Sequence, residues 1–568
     1  MLARVIMLAG RDIPLSAWTP IALVWQDLLV VLLVAAIDRV VRPVWLRWSV
    51  YGLVVIYTAL NVALVHVLSS PMTWPMLRAT RGTLADSIKY HLTLENLMLI
   101  VAVLAWGGVL PFLLGRLRLR RSVAIGSIIV AVAFVALGPT ATAHVDVVGR
   151  HRNALVTLIS TAFPRIQAQH QTADWRKSRF DEPASEDLSR FHAVAAGRNV
   201  VMIHLESTGA GYLHPYGSPV DPMPKLTRLA TKAVLFENAY AVYPESIKGL
   251  FSVLCSRYPA FDSRAESYER VSTPSIAQVL AKAGYRTALF HSGRFMYLGM
   301  ESVIGKRGYQ TLEDAGDIGG NHNSSFGVDE PATVKRMLGW VDALPRDKRF
   351  FTTYLPIAGH HPYETPEPGP FPENEDIGRY RNALHYADAV VAELIEGLRI
   401  RGLDENTLFV IFGDHGEAFG QHQGNYGHTL FIYEENIRVP LLLVAPGLFE
   451  GPIRVHRTAS LIDLAPTICD LLGLPPPADY QGRSLFQPGR RMALFFADYS
   501  LGFFGLRDGD WKFIHELDSG RSKLFDLCSD PGETNDLARK LPERVGEYLP
   551  RLQQWSAAQK DLILRCQR

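Results

Sequence analysis

The sequence predicts an N-terminal bundle of transmembrane helices, then an α/β domain with a largely parallel central sheet sandwiched by helices, and a small C-terminal α+β section. Three observations carry that reading. Four apolar runs, each near the roughly 20 residues a bilayer crossing needs, lie in the first 140 of 568 residues. From Asn199 onward, short apolar runs alternate with amphipathic segments. After about residue 490 the texture changes again, to a short closing section.

The four runs are residues 20–37, 50–68, 96–114 and 122–138. A single run of this kind is compatible with a buried core helix, but four in succession before a long polar chain read as spans. The first connection carries Arg39, Arg42 and Arg47, and the third reads RLRLRR over 116–121. Positive loops stay cytoplasmic. The second loop (69–95), everything after residue 138 and the N-terminus are therefore expected outside. That places the protein in a bacterial cytoplasmic (inner) membrane with its large domain on the outer, periplasmic side. Residues 1–18 are a weak candidate for a fifth span; a cleaved signal peptide fits them poorly. Asp27, Asn61 and His66 are polar residues inside apolar runs. Asp27 and His66 fall in the same half and could pair, or His66 could simply sit at the interface.

Residues 141–197 are mixed and polar, read as a juxtamembrane helix near 151–163 and a linker. The catalytic domain is expected over 198–490, with 491–568 as its C-terminal section. Its strands are read in NVVMIHLE (199–206), TALFHS (287–292), FFTTYLPI (350–357), TLFVIFGDH (407–415) and PLLLVAP (440–446). Helices are read in 274–284 and 386–402. Buried strands alternating with helices point to a largely parallel sheet.

Charge and cysteine usage exclude other classes. A formal net charge of +2, with no long basic run outside one loop, gives no case for nucleic acid. Four distant cysteines without a C-x-x-C spacing make a cysteine zinc site unlikely and leave any pairing, like the oligomeric state, unreadable.

Ligands of such sheets bind beyond the carboxyl ends of the strands. Four strands deliver carboxylate or imidazole there: Glu206; Asp414 with His415; His360 with His361; and His291. A lone His after a strand is commonly a turn residue, but independent segments sending the same chemistry to one edge argue for a site. Glu206, Asp414 and His415 form a metal set of carboxylate and imidazole, suited to zinc or manganese better than calcium. Ser246 opens an apolar-periodic helix (Ile247, Leu250, Phe251, Leu254). There it could be a helix cap, a nucleophile whose alkoxide the metal favours, or both. The helix start would offer free N–H groups to an anionic substrate.

From about 198 to 540 the sequence resembles the sulfatase family of the alkaline phosphatase superfamily. The matching stretches are NVVMIHLEST, PKLTRLATKAVLFENAYA, SIKGLFSVLCSRYP, HHP (360–362), GDHGEAFG (413–420), VPLLLVAPG, SLIDLAPTICDLLGLP with GRSL, LRDGDWKFIHEL, and KLFDLCSDPGETNDLA. The resemblance implies an alkaline phosphatase-like fold, a metal on Glu206, Asp414 and His415, and Ser246 at the nucleophile position, where sulfatases carry the residue that becomes formylglycine. The string Ser246-Ile247-Lys248-Gly249-Leu250 departs from the C/S-x-P/A-x-R pattern that this maturation needs. Glu206-Ser207 stands where sulfatases commonly have paired aspartates. These departures, with the spans, look like lipoteichoic acid synthases and lipid A phosphoethanolamine transferases, which use Thr as nucleophile. The WKFI…LFDLCSDPGE stretch looks like hydrolytic sulfatases. His360 resembles the family's substrate-side histidine, and His428, thirteen residues past His415, a second histidine near the site. Both are assigned catalytic roles; either could bind an anionic group, act as general acid toward the leaving oxygen or hold a second metal. Lys248, His291, Arg294 and His361 are candidate substrate contacts, and His422 a weaker one.

The expected function is transfer of a phosphodiester headgroup by way of Ser246 to an envelope lipid, a glycan or water. The alternatives are sulfate-ester hydrolysis and a catalytically silent membrane scaffold.

Overall fold

The computed structural model describes residues 2–8, 13–79, 91–116, 120–180, 187–321, 327–449 and 451–567. Residues 9–12 of the first 18, 80–90 of the second loop, 117–119 of RLRLRR and 181–186 of the linker lie outside them.

The N-terminal part is helical: α1 (Leu2–Leu8), α2 (Thr19–Val40), α3 (Val44–Leu68), α4 (Leu94–Leu114), α5 (Arg121–His144) and the short α6 (Ala154–Ser160). Helices α2 to α5 are each long and apolar enough to cross a membrane. They extend the apolar runs at one or both ends, because flanking residues such as Thr93, which accepts from Asn96 N, cap the helices beyond the apolar stretch. Helix α2 packs on α5, and α3 on α4. Small residues let them close: a Cβ on Gly138 would lie 2.3 Å from the Trp25 ring, and one on Gly107 2.5 Å from Val55. At seven residues, about 10 Å at 1.5 Å rise, α1 is too short to cross a bilayer. The Asp27–His66 pair does not form. Asp27 is held by Arg4 at 2.8 Å and by Asn153, while His66 lies 3.4 Å from Glu95. Arg4, arriving from outside the four runs, outcompetes a histidine on another helix.

The sheet domain follows. Its strands are β1 (Asn199–Leu205), β2 (Ala233–Tyr240), β3 (Arg286–His291), β4 (Thr311–Glu313), β5 (Phe350–Leu355), β6 (Thr407–Gly413), the small hairpin β7 (Ala418–Phe419) and β8 (Tyr426–Gly427), then β9 (Arg438–Val439), β10 (Leu441–Val444) and β11 (Ile453–Ser460). The main sheet runs β11-β2-β10-β6-β1-β5-β3-β4, with β9 on β2. Only β9 and β10 pair antiparallel within it. The expected class, a largely parallel sheet sandwiched by helices, therefore holds. β1, β5 and β6 are buried along their whole length, as strands covered on both faces must be. One face packs under α7 (Ser246–Cys255) and the other under α8 (Glu330–Asp342) and α9 (Asp376–Ile400).

The C-terminal section is a four-stranded antiparallel meander, β12 (Ala493–Ala497), β13 (Phe503–Asp508), β14 (Trp511–Glu516) and β15 (Ser522–Asp526), covered by α10 (Pro542–Gln567). Trp555 and Tyr548 of α10 are buried against Phe504 and Phe513.

The N-terminal part docks on the C-terminal meander and on the His361 loop at the carboxyl edge of the main sheet. Thr73 Oγ1 donates to Tyr499 O at 2.8 Å, Ser70 bonds Ser500, and His91 stacks on His361 with ring centroids 5.8 Å apart. After α5, Asp146 pairs with Lys523 at 2.7 Å. The loops carrying Arg39, Arg42, Arg47, Arg116, Arg120 and Arg121 therefore lie at the opposite end of the bundle.

Candidate active site

Strand register brings the two carboxylates together. Leu205 of β1 pairs with Gly413 of β6, so the next residues, Glu206 and Asp414, leave the sheet side by side. Close backbone approach keeps them there. A Cβ on Gly413 would meet Thr208 O at 2.1 Å, and one on Gly359 would meet Glu206 O at 2.0 Å. Only glycine admits these contacts, and the second seats the His360 loop directly on the Glu206 backbone. Ser207 takes a left-handed φ of +51°, unusual for a non-glycine residue. That turn lets its N–H donate to Asp414 Oδ1 at 2.8 Å, while Tyr380 OH donates to its carbonyl.

Ser246 is the first residue of α7, and the cap is its neighbour. Glu245 accepts from Ile247 N at 2.9 Å and from Lys248 N at 3.4 Å. With the cap position filled, the Ser246 hydroxyl is left for other partners. Its Oγ lies 2.7 Å from Asp414 Oδ2, 3.0 Å from Glu206 Oε2 and 3.3 Å from His415 Nε2. Leu250, Phe251 and Leu254 are fully buried beneath it. At roughly 1.5–3 kcal/mol per buried side chain, they hold the helix, and so the hydroxyl, in place.

His415 is fixed from behind. Its Nδ1–H donates to Gly416 O at 2.9 Å, so Nε2 carries the lone pair facing Glu206 and Asp414. The cluster is buried, and burial dominates its electrostatics. Burial, and then the neighbouring Asp414, raises the Glu206 pKa. Burial pushes Asp414 up to about 7. His415 is depressed to about 4 by burial, with the His428 charge adding to it. Two carboxylates and one neutral imidazole, with donor atoms within 4.8 Å of one another, fit a divalent cation.

A histidine wall stands beside this cluster. The His428 ring lies 4.3 Å from that of His415 and 5.9 Å from that of His360. His428 Nδ1–H donates to Glu417 Oε2 at 2.6 Å. Burial pulls the His428 pKa down, but Glu417, with Glu206 and Asp414 behind it, outweighs burial and holds it at about 9. Tyr363 OH also donates to Glu417, at 2.5 Å. The loop bearing His360 and His361 is latched by Glu330, whose Oε1 accepts from Ile357 N at 2.7 Å and Ala358 N at 3.0 Å.

The substrate-side candidates are distributed differently. Lys248 Nζ is clasped by Asp498 at 2.7 and 2.8 Å and sits over the Tyr243 ring. A buried ammonium needs a carboxylate partner, and Asp498 supplies it. His291 is buried too; its Nδ1 bonds Leu355 O, its ring stacks on Phe295, and burial depresses it to about 4. Arg294, in the turn after β3, brings its guanidinium near Gly316 of the short helix Ala315–Ile318. His361 lies between His91 and Tyr363, depressed to about 4 by burial and then by His360. His422 bonds Glu435 at 2.7 Å and stacks on Tyr433, away from Ser246's partners. Sequence reasoning passed over Glu417, although it stands three residues past Asp414 in the same loop. It also passed over Glu245, Glu330 and Asp498, which no spacing ties to the site.

Comparison with known proteins finds relatives of the sheet domain. Residues 198–474 match the sulfatase family model, and residues 422–549 match the model described as N-sulphoglucosamine sulphohydrolase, C-terminal. Arylsulfatase K of Bos taurus is 30% identical over 234 residues, 36% of this chain and 42% of that protein. The chain thus spans under half the length of the arylsulfatase K proteins it matches. The lipoteichoic acid synthase-like protein YvgJ of Bacillus subtilis is 24% identical over 346 residues, 57% of this chain and 55% of that one. Among solved structures, the lipoteichoic acid synthase LtaP from Listeria monocytogenes superposes with a TM-score of 0.53 at 18% identity. It covers 66% of this chain and 94% of its own, and shares the fold.

Proposed function

We propose that this chain, whose residues 198–474 match the sulfatase family model, is a metal-dependent enzyme anchored in a bacterial cytoplasmic membrane, with its catalytic domain on the outer side. Ser246 attacks a phosphodiester headgroup, which then passes to an envelope lipid, a glycan or water. The observation that carries the reading is the Ser246 hydroxyl set within 2.7–3.3 Å of Asp414, Glu206 and His415. Glu206, Asp414 and His415 would hold the cation, zinc or manganese by donor type. When bound, that ion supplies the positive charge that makes a serine hydroxyl acidic enough to react.

The chain's own groups do the rest. As Oγ bonds to phosphorus the Ser246 proton leaves to water, because the carboxylate oxygens nearest it, Asp414 Oδ2 at 2.7 Å and Glu206 Oε2 at 3.0 Å, would be holding the ion. His428, oriented by Glu417, is the candidate to give a proton to the leaving oxygen as its bond to phosphorus breaks. His360 and His361 line the approach. Lys248 stays on Asp498 and does not enter the reaction. Docking of the N-terminal part on the His361 loop supports a substrate that resides in the bilayer.

A second reading, sulfate-ester hydrolysis, is favoured by the arylsulfatase K relatives and the C-terminal match. Labelled phospholipids and sulfated glycans, incubated with wild type and Ser246→Ala, separate the two. A phosphorus-containing adduct on the peptide bearing Ser246 supports the first reading. An aldehyde at residue 246 with sulfate release supports the second, and turnover unchanged in Ser246→Ala would overturn both.

A further inference from the structure

The turn after β3 displays apolar side chains outward at the same edge of the sheet as the site. Met296 is 59% exposed and Leu298 44% exposed. The turn is built rather than frayed. Phe295 is buried and stacked on His291, and its N–H donates to Asp314 Oδ2 at 2.9 Å. Glu301 N–H donates back to Phe295 O, closing the turn. Leu298 holds a left-handed φ of +47°, a conformation that a residue with a Cβ rarely adopts. An ordered turn that spends strain to present Met and Leu to water has no folding reason to do so.

Its surroundings identify the occupant. A Cβ on Gly299 would lie 3.2 Å from Ala265, which places the turn on segment 261–268. The opposite flank of that segment holds Asp262, clasped by Arg165 at 2.8 Å, and Phe261, under the Arg165 guanidinium. Two residues before Arg165, Phe163 is exposed, as is Ile159 on α6. Thr161 Oγ1 accepts from Trp74 N at 2.9 Å, so the exposed Trp74 joins them. Both α6 and the helix Trp74–Ala79 pack at the domain end of the spans. Segment 261–268 and Arg165 thus link the exposed Met296 and Leu298 to the part of the chain that carries the exposed Trp74, Ile159 and Phe163 beside the bundle.

We propose that the Met296–Leu298 turn inserts into the headgroup–acyl boundary of the outer leaflet, and that the catalytic domain rests on the bilayer through this second point of contact beside the site. Interfacial side chains of this kind reach about 5–10 Å into that boundary. The inference rests on the reading that α2 to α5 span a bilayer, and is independent of the reaction catalysed.

The test uses the full chain in nanodiscs of phosphatidylcholine and phosphatidylglycerol. The background carries Cys528→Ser and Cys566→Ser, leaving the buried Cys255 and Cys469. Bimane is attached at Met296→Cys or Leu298→Cys, with Val101→Cys on α4 as the spanning control. Ile400→Cys, at the end of α9 that runs into the amino edge of β6, is the water-facing control. Doxyl groups near the lipid headgroups should quench labels at 296 and 298 several-fold and leave 400 bright. Bright labels at 296 and 298 beside a quenched 101 would overturn the inference. Labels there that are shielded from both lipid and aqueous quenchers would also overturn it, because protein and not lipid would then cover the turn. An unquenched 101 would sink the spanning reading instead, and the inference with it.

Discussion

Ser246 and Lys248 stand two residues apart at the start of one helix, yet the polar clusters they enter are built differently. Lys248 meets Asp498, and the remaining capacity of that carboxylate is filled by Tyr243 OH and the N–H of Asp262. Charge is balanced and hydrogen bonding is closed. Ser246 meets two buried carboxylates and an imidazole depressed to about 4. Among the described residues, no lysine or arginine pairs with either carboxylate; only His415 does. The first cluster is finished by protein alone, whereas the second leaves a place that a cation would fill. Buried charge without compensation is costly, so the contrast separates structural polarity from functional polarity within a few ångströms of chain.

The contrast can be broken in order of expected effect. Ser246→Ala should lower turnover of the labelled substrate by at least about a thousandfold, with thermal unfolding unchanged. Asp414→Asn should weaken divalent-metal binding, read by calorimetry, on the order of 100-fold. Without metal this variant should be no less stable than wild type, because it removes repulsion from Glu206. Asp498→Ala should do the reverse. Stranding Lys248 should cost about 3–5 kcal/mol of stability, while the folded fraction still binds metal. If Asp498→Ala abolished metal binding in folded protein, the two clusters would not be separate.

The Lys248–Asp498 pair also has a pH signature. Burial would raise the Asp498 pKa, but Lys248 outweighs it and holds the value below the usual 3.8. The unfolded chain therefore binds the proton first as pH falls. The pair's stabilisation is complete above the ordinary carboxylate range and is lost as pH drops through the lowered folded value. Asp498→Asn should flatten that acid limb in thermal unfolding. Smaller still, Glu245→Ala should cost about 1 kcal/mol through loss of the helix cap. Arg399→Ala, breaking an exposed pair with Glu396, should stay within about 0.5 kcal/mol.

The parts legible in sequence were those set by periodicity and by strand ends. The apolar runs lie within helices α2 to α5, and the five strands read from NVVMIHL to LLLV are all present, because strands buried in the middle of a sheet leave little choice of residue. Glu206 and Asp414 were readable as neighbours because they end strands that turn out to be adjacent. The strand AVLFENAY and the strand beginning at Ile453 were not recognised. Each mixes charged residues (Glu237, Arg454) into a run near the sheet's edge, where one flank is solvated. The partners of Lys248 and of the His360 loop were equally hidden. Asp498 is 250 residues from Lys248, and Glu330 holds its loop from a helix on the sheet's other face. Such contacts follow from tertiary closure and leave no local spacing to read.

The seams joining the N-terminal part to the catalytic domain, Asp146 on Lys523, Thr73 on Tyr499 and His91 on His361, amount to a rigid mount rather than a flexible tether. A head fixed at one height cannot sweep for its reactant. On the membrane reading, turnover should follow lateral diffusion of lipid and slow when acyl chains freeze, whereas a soluble chromogenic ester would be processed across that transition without a break.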